Sequence, residues 1–404
     1  MPIILSQPLL SVPVVNVYAM AALTEEDLRL STLRRQFPPI TGTGPGAVLE
    51  LFDRLGPVQS QVPRAPFLFA ASRLPGVTYA TICELFEKHR LLKTTNLRGT
   101  VHTSGRTDFP RLDAVATPTR RVAVRRALGL ETAAADQLDA EVRHFCRDEW
   151  RPRVEIIDHA RGWLTRRAGA DVAARLGSTF SDSVVWGNSG LARRPKDRFW
   201  DRRTDSFHRT AATLVPELVE TTPEAALVDL VRRHLASYGP VTRRDLAFFF
   251  GAGLRQVDEA VRTLGDEVLR LSGPGSGSYL DLAEPPPSGD SEPGVRLLAE
   301  FDGLLLGFEG HNRNRFVDAD GLSRIWARAN GLFSPVVLHD GRLVATWRPV
   351  AERGQTRVEV RMLGGDRLDE DALAGPVAAV EAALDMQIAD VNVRSGTALP
   401  DGVP

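Results

Sequence analysis

Lysine is almost absent from this chain: among 404 residues it occurs only as Lys88, Lys93 and Lys196. Arginine therefore carries the positive charge, and 50 basic residues stand against 51 acidic ones. A net charge of -1 excludes a strongly basic nucleic-acid tail and a disordered acidic chain. It leaves a locally basic face open, because net charge averages over patches. The arginine excess reads either as the codon bias of a GC-rich genome or as guanidinium forks suited to phosphate. Two cysteines, Cys83 and Cys146, are too few for a disulfide framework or a cysteine-rich zinc site. Both sit in apolar helical contexts that suit buried thiols. The eight histidines are scattered without metal-ligand spacing. Residues 1–24 carry no charged side chain. They lack the basic start of a signal peptide, and prolines interrupt them. No run is long enough to span a bilayer. The expectation is a soluble cytoplasmic protein in which 1–24 is an N-terminal extension, with Met20 as an alternative start.

A chain of this length with 43% hydrophobic residues holds two to four domains. The first unit is 25–106. Thr24 followed by Glu25, Glu26 and Asp27 caps a helix, and 47–55, 65–74 and 79–90 read as three more. A short strand-like stretch lies at 58–62. A small hairpin, 91–95 with 98–103, closes the unit on the plan of a winged helix-turn-helix. The second unit, 107–222, is helical around 119–128, 136–149 and 155–168, with 183–192 as a candidate wing. The third, 223–284, repeats the first plan: helix 224–237, a Thr242/Asp245 helix start, helix 254–264 and a wing at 266–282. The Pro/Gly/Ser-rich stretch 285–294 is a linker. Short alternating runs at 295–301, 303–308, 335–339, 342–348 and 356–363 follow, with an Asp340-Gly341 hairpin turn. A helix at 376–388 closes a β-rich domain, 295–404.

Gly-rich phosphate loops of nucleotide-binding proteins, the Gly-x-Ser-x-Gly elbow and His-Glu-x-x-His are all missing. What stands out is LGPVQSQVPRAPFLFAASRL at 55–74. Gln59 and Gln61 are one residue apart, and period two puts both amides on one strand face. The exit through Pro63-Arg64-Ala65-Pro66 is stiff, as a loop aimed at a ligand requires. A pair of glutamines on a solvated strand edge would look the same.

This segment resembles the AlkZ-like (YcaQ-related) winged-helix DNA glycosylases, whose hallmark is Leu-Gly-x-x-Gln-x-(Gln or Asp) followed closely by Arg-Ala-Pro. Three further stretches resemble family motifs in the same order: Arg98-Gly99-Thr100-Val101-His102, Phe301-Asp302-Gly303-Leu304-Leu305-Leu306-Gly307, and Asp340-Gly341-Arg342 leading into Thr346-Trp347-Arg348. The resemblance implies an α+β fold: tandem winged helix-turn-helix units around a concave channel, with a C-terminal β-barrel-like domain. It implies a monofunctional DNA glycosylase that hydrolyses the N-glycosidic bond of bulky N7-alkylguanine or related cationic alkylpurines in double-stranded DNA. Such an activity could extend to unhooking crosslinks, and the expected enzyme is a monomer that needs no metal or organic cofactor. The Gln-x-Gln form resembles members associated with self-resistance to DNA-alkylating natural products; Gln61 stands where the other branch has Asp.

The chemistry agrees with that implication. A base made cationic by N7 alkylation leaves without a general acid, so the enzyme must place a water and stabilise an oxocarbenium-like sugar. A carboxamide orients water through its C=O and N–H groups without taking its proton. Gln59 and Gln61 are the expected catalytic pair. Arg64, Arg193, Arg194 and the turn with His311, Asn312, Arg313 and Arg315 are candidate DNA contacts. Trp186 and Trp200 are candidate lesion contacts. Arg64, Arg313 and Arg315 are expected on one positive face with the Gln pair. The competing readings are a non-catalytic winged-helix DNA-binding regulator and a protein that sequesters the drug itself.

Overall fold

The computed structural model describes residues 22–176, 184–287, 289–290, 292–327, 331–352, 354–364 and 368–395. The first helix, Glu25–Gln36, starts at a reciprocal cap: the Asp27 N–H donates to Thr24 Oγ1 (3.1 Å) and the Thr24 N–H to the Asp27 carboxylate (2.8 Å). Helices Pro45–Leu55, Ala65–Arg73 and Tyr79–Glu87 share a core that includes Phe52, Phe67, Phe69, Ile82 and Phe86. Strands Leu91–Thr95 and Val101–Gly105 then form the expected hairpin. That hairpin is not a free wing, because it is the middle of a six-stranded sheet. Strand Val58–Gln59 pairs with its outer side, placing Gln59 opposite His102. Strand Leu191–Pro195 joins the other side through Thr94 and Ala192, and Asp205–Thr210 and Arg151–Pro152 follow. One sheet thus crosses the division expected at residue 106.

Helices Phe109–Leu128, Thr132–Phe145 and Arg153–Ala168 build a separate core from Leu128, Leu138, Val142, Ile156 and Leu164. Further along, Pro223–Tyr238, Arg243–Phe250 and Leu254–Leu264 lead into the hairpin Val268–Gly273 with Gly277–Leu282, as the sequence suggests. Thr242 and Asp245 make the expected reciprocal cap.

Two expectations fail in the C-terminal part. Residues 303–308 are not a strand: Gly303–Leu306 is a helical turn, capped by the Asp302 carboxylate, which accepts from the Leu304 N–H (3.0 Å). A short apolar run buried on all sides has no period to distinguish the two. The end of the chain is also no closed barrel. Among the described residues it is an open five-stranded sheet in the order Ile388–Arg394, Gln355–Met362, Arg342–Glu352, Val336–His339, Arg296–Leu297. Helix Ala374–Leu384 and Ala65 and Leu68 of the helix Ala65–Arg73 contribute to the core against this sheet, filling the space a barrel would enclose. The Asp340-Gly341 turn does form, with both residues left-handed (φ 47° and 72°), as the primed turns require.

Three arginines of the first unit reach carboxylates more than 200 residues away. Arg35 grips Asp281 at 2.6 and 2.9 Å, Arg64 takes Glu300, and Arg73 takes Asp302 at 2.6 and 2.9 Å with both side chains fully buried. Arg73 also lies over the rings of Phe69 and Phe37. Removing one partner of such a pair strands a buried charge, at a cost of about 3–5 kcal/mol. Asp302→Asn should therefore lower unfolding stability in urea by about that amount, and Arg73→Met in the same chain should recover much of the loss.

His102, His208 and His234 are all buried, and burial holds each of them down at about 3. Their neutral forms are at full advantage above the unfolded value near 6.5. As pH falls from about 6.5 toward about 3, the unfolded chain binds protons that the folded chain refuses. Stability should decline at about 1.4 kcal/mol per pH unit for each histidine. Urea unfolding midpoints measured between pH 7.5 and 5 should fall accordingly, and a flat profile would count against buried neutral histidines.

Candidate active site

Helix Pro45–Leu55 stops at Gly56, where a Cβ would lie 2.5 Å from the Phe52 carbonyl oxygen, so only glycine lets the chain turn there. Val58 and Gln59 then enter the sheet, and the Ser60 N–H extends the pairing to the Val101 carbonyl (2.7 Å). Pro63 ends the extended stretch, and Pro66 suits the first turn of the helix Ala65–Arg73. Gln59 is buried and Gln61 exposed. Their amides face each other, with Gln59 Nε2 donating to Gln61 Oε1 at 3.4 Å. Gln59 Oε1 accepts from Arg98 Nη2 at 3.1 Å. Arg98 Nη1 also donates to the Phe249 carbonyl, and the guanidinium lies over the rings of Phe248 and Phe249.

Behind Gln59 is a narrow cavity lined by Leu55, Phe69, Arg98, His102, Tyr238 and Phe301 among others, with no carboxylate among them. His102 Nδ1 donates to the Thr100 carbonyl (2.9 Å). Burial first, and the Arg98 charge second, hold it neutral. Burial pushes the Arg98 guanidinium down to about 10, so it stays charged at neutral pH. The nearby Tyr238 hydroxyl is pushed up by burial and stays protonated. The site can donate to and accept from a water, but its lining offers no group that takes a proton near pH 7. Among the described residues no cluster of His, Cys, Asp and Glu could hold a metal ion.

Residues 52–390 match the family described as DNA glycosylase AlkZ-like. The chain belongs to the AlkZ-like DNA glycosylase family. It is thus an enzyme that acts on DNA, which removes the purely regulatory and drug-sequestering readings. The fold is also similar to the Streptomyces sahachiroi DNA glycosylase AlkZ, with a TM-score of 0.73 and 21% identity over 92% of this chain and 99% of that one. No curated protein matches it by sequence. No helix among the described residues is long and apolar enough to cross a membrane.

Within this glycosylase the other expected site residues divide sharply. Arg64 sits beside the Gln pair with about a third of its side chain exposed, held by Glu300 through Nε (3.0 Å) and Nη2 (2.5 Å). Arg313 and Arg315 do not share that face, because both are buried. Arg313 donates to the Leu305 carbonyl and lies among the rings of Phe248, Trp326 and Phe333. Arg315 donates to the Pro240 carbonyl and Thr32 and lies over Phe308. Carbonyls and aromatic faces hold these guanidiniums inside the protein, with Arg313 Nη1 and Arg315 Nη2 left without a hydrogen-bond partner among the described residues, so the turn Gly310–Arg315 presents neither of them at the surface. Asn312 donates to Asp245 at 2.9 and 3.0 Å and closes the cap of the helix Arg243–Phe250. The His311 side chain lies outside the described residues.

Arg193 is buried as well, bonded to Thr95 and the Trp186 carbonyl beneath the Trp186 ring. It is a sheet residue rather than a phosphate clamp. Arg194 is partly exposed over Trp150 and Phe207. Trp200 is a core residue, stacked on Phe86 at 4.5 Å with its N–H on Glu87 (2.9 Å). Trp186 keeps 43% of its surface exposed. Arg98 is the functional contact that residue-level reasoning missed. It stands in a quoted motif, but nothing in the sequence shows that it reaches Gln59.

If Trp200 only packs, Trp200→Ala should cost about 3–5 kcal/mol of stability and leave base release by the folded enzyme within about twofold. Thermal unfolding alongside a single-turnover assay separates the two effects. A large rate loss at full stability would return Trp200 to the site.

Proposed function

We propose that this glycosylase hydrolyses the N-glycosidic bond of N7-alkylguanines and related cationic alkylpurines, bulky adducts included, in double-stranded DNA. The observation that carries the reading is the Gln59–Gln61 amide pair, of which Gln59 lines a cavity that holds no carboxylate. A site without a general acid cannot help a neutral base to leave. It suffices where the base is already cationic, because the bond then breaks without protonation. What the enzyme must supply is a water held at the anomeric carbon, and two amides orient a water by accepting and donating hydrogen bonds. Action on undamaged purines should be weak for the same reason.

The surroundings support this assignment. Arg64, at the start of the helix after the pair, is the DNA contact beside it, and Arg194 is a second on the sheet. Trp186 is the lesion contact: its carbonyl accepts from Thr95 (2.6 Å), which pairs with Val101, next to Ser60. Two strand spacings put Thr95 about 10 Å from the Gln loop, and Trp186 lies just beyond it on the same sheet, where a large adduct would extend. The helices Arg243–Phe250 and Leu254–Leu264 with their hairpin serve as a winged helix-turn-helix against the duplex. The enzyme acts as a monomer. The Gln-x-Gln form suits a role in self-resistance to a DNA-alkylating natural product, and expression in a sensitive host should then raise survival under that agent.

The direct test is release of N7-methylguanine and of a bulkier N7 adduct from duplex DNA in single turnovers. Gln59→Ala and Gln61→Ala should each slow release by about 10- to 100-fold. Full rates in both variants would sink the site assignment, and absence of release from every cationic adduct would sink the substrate class.

A second measurement uses the fact that carboxamides do not titrate. With His102 near 3 and Arg98 near 10, the rate should be flat from about pH 6.5 to 9. Gln61→Asp should add an acid limb at the carboxylate's own pKa.

A further inference from the structure

We infer that Arg98 is a positioning residue for the water-binding pair: its guanidinium takes the Gln59 carbonyl oxygen and thereby fixes which atom each of the two amides turns toward the other. This rests on the Gln-pair reading above.

An arginine can only donate. The Gln59 atom 3.1 Å from Arg98 Nη2 must therefore be Oε1, and the amide nitrogen must point the other way. It points at Gln61, so the Gln61 atom facing it must be its own Oε1. One cation thus sets two amides in series. In an unanchored glutamine the C=O and N–H₂ ends exchange by a simple flip, and a water would meet a donor or an acceptor at random. With Arg98 in place, Gln59 turns its carbonyl oxygen toward the guanidinium and its N–H₂ toward Gln61. Gln61 keeps its second lone pair and both amide hydrogens for solvent or substrate.

Arg98 is held at some cost. Its backbone is left-handed (φ 55°, ψ 16°), a conformation that non-glycine residues rarely adopt. The turn is fixed by Asn96, whose side chain accepts from the Leu97 N–H (2.6 Å) and donates to Thr94 (3.1 Å). Among the described residues no carboxylate pairs with the guanidinium; the neighbouring charge it feels is the repulsive one of Arg313. Its remaining partners are the Phe249 carbonyl and the faces of Phe248 and Phe249. These belong to the helix Arg243–Phe250, so the pair is also registered against the unit proposed to meet DNA. A partly buried cation without a counter-ion, whose one side-chain acceptor is Gln59, is a device for orienting that acceptor.

The test is a double-mutant cycle on single-turnover release of N7-methylguanine from duplex DNA. Arg98→Met keeps the stem and loses the donors. It should slow release by about 10- to 100-fold with the Kd for DNA unchanged. In a Gln59→Ala background it should slow release by less than about twofold more, since the group it acts through is gone. Arg98→Lys, which still donates but never accepts, should restore most of the rate and guards against a folding defect in the Met variant. A double variant slowed by the product of the single effects, or an Arg98→Met effect confined to Kd, would overturn the role while leaving the Gln pair standing. A wild-type rate in Gln59→Ala would overturn the pair itself and this role with it.

Discussion

The structure turns on two carboxylates that are two residues apart. Glu300 and Asp302 hold the two ends of the helix Ala65–Arg73, one through Arg64 in its entry and the other through Arg73 in its last turn. The Gln loop runs straight into that helix, so the reacting end of the molecule is fixed to the C-terminal half by charge-assisted bonds at both ends. The deeper pair, Arg73 with Asp302, has no water to fall back on, and it does more than join two segments. Asp302 also caps the turn Gly303–Leu306, and Gln36 of the first helix accepts from the Arg73 guanidinium through both its backbone and its side-chain carbonyl. Tyr238 seats against Gly307, where a Cβ would lie 2.4 Å from its ring. Loss of the pair would loosen the first helix, the Gln loop and the C-terminal sheet together.

The scarcity of lysine gains a structural meaning from this interior. Arg35, Arg73, Arg193, Arg313 and Arg315 are all buried. A planar guanidinium with five donors can satisfy a carboxylate and several carbonyls and still stack on an aromatic face, whereas an ammonium is compact and strongly hydrated. These buried arginines act inside the protein as mortar between units. Arg98 extends the same usage to the candidate site, where the acceptor is the Gln59 amide. A balance of 50 basic and 51 acidic residues says little about the face that meets DNA, because some of the cations lie inside.

Local signals in the sequence carried far. The Thr24/Asp27 and Thr242/Asp245 caps, the helix Leu254–Leu264, both β-hairpins and the Asp340-Gly341 turn follow from propensity and spacing within a few residues, and all are present. Elements whose state depends on distant partners were misread. The run 303–308 became a helical turn because Asp302 caps it, and the C-terminal sheet stays open because two helices fill its face. The Arg313 and Arg315 side chains turned inward for a comparable reason. A polar turn rich in Arg and Asn looks solvated in sequence, and only the carbonyls and rings brought from the other units make the interior favourable for it.

The sequence by itself determined the chemistry available at the site. Two carboxamides at i and i+2, a rigid Pro-bounded exit and four motifs in order define the family, because those features depend on residue type and short spacing alone. The tertiary structure decided how the amides are aimed and which cations are free. Gln59 meets Arg98 across 39 residues and Arg64 meets Glu300 across 236. Hydrogen-bond direction and burial are set by which groups the fold brings within 3 Å, and no local pattern in the chain encodes that distance.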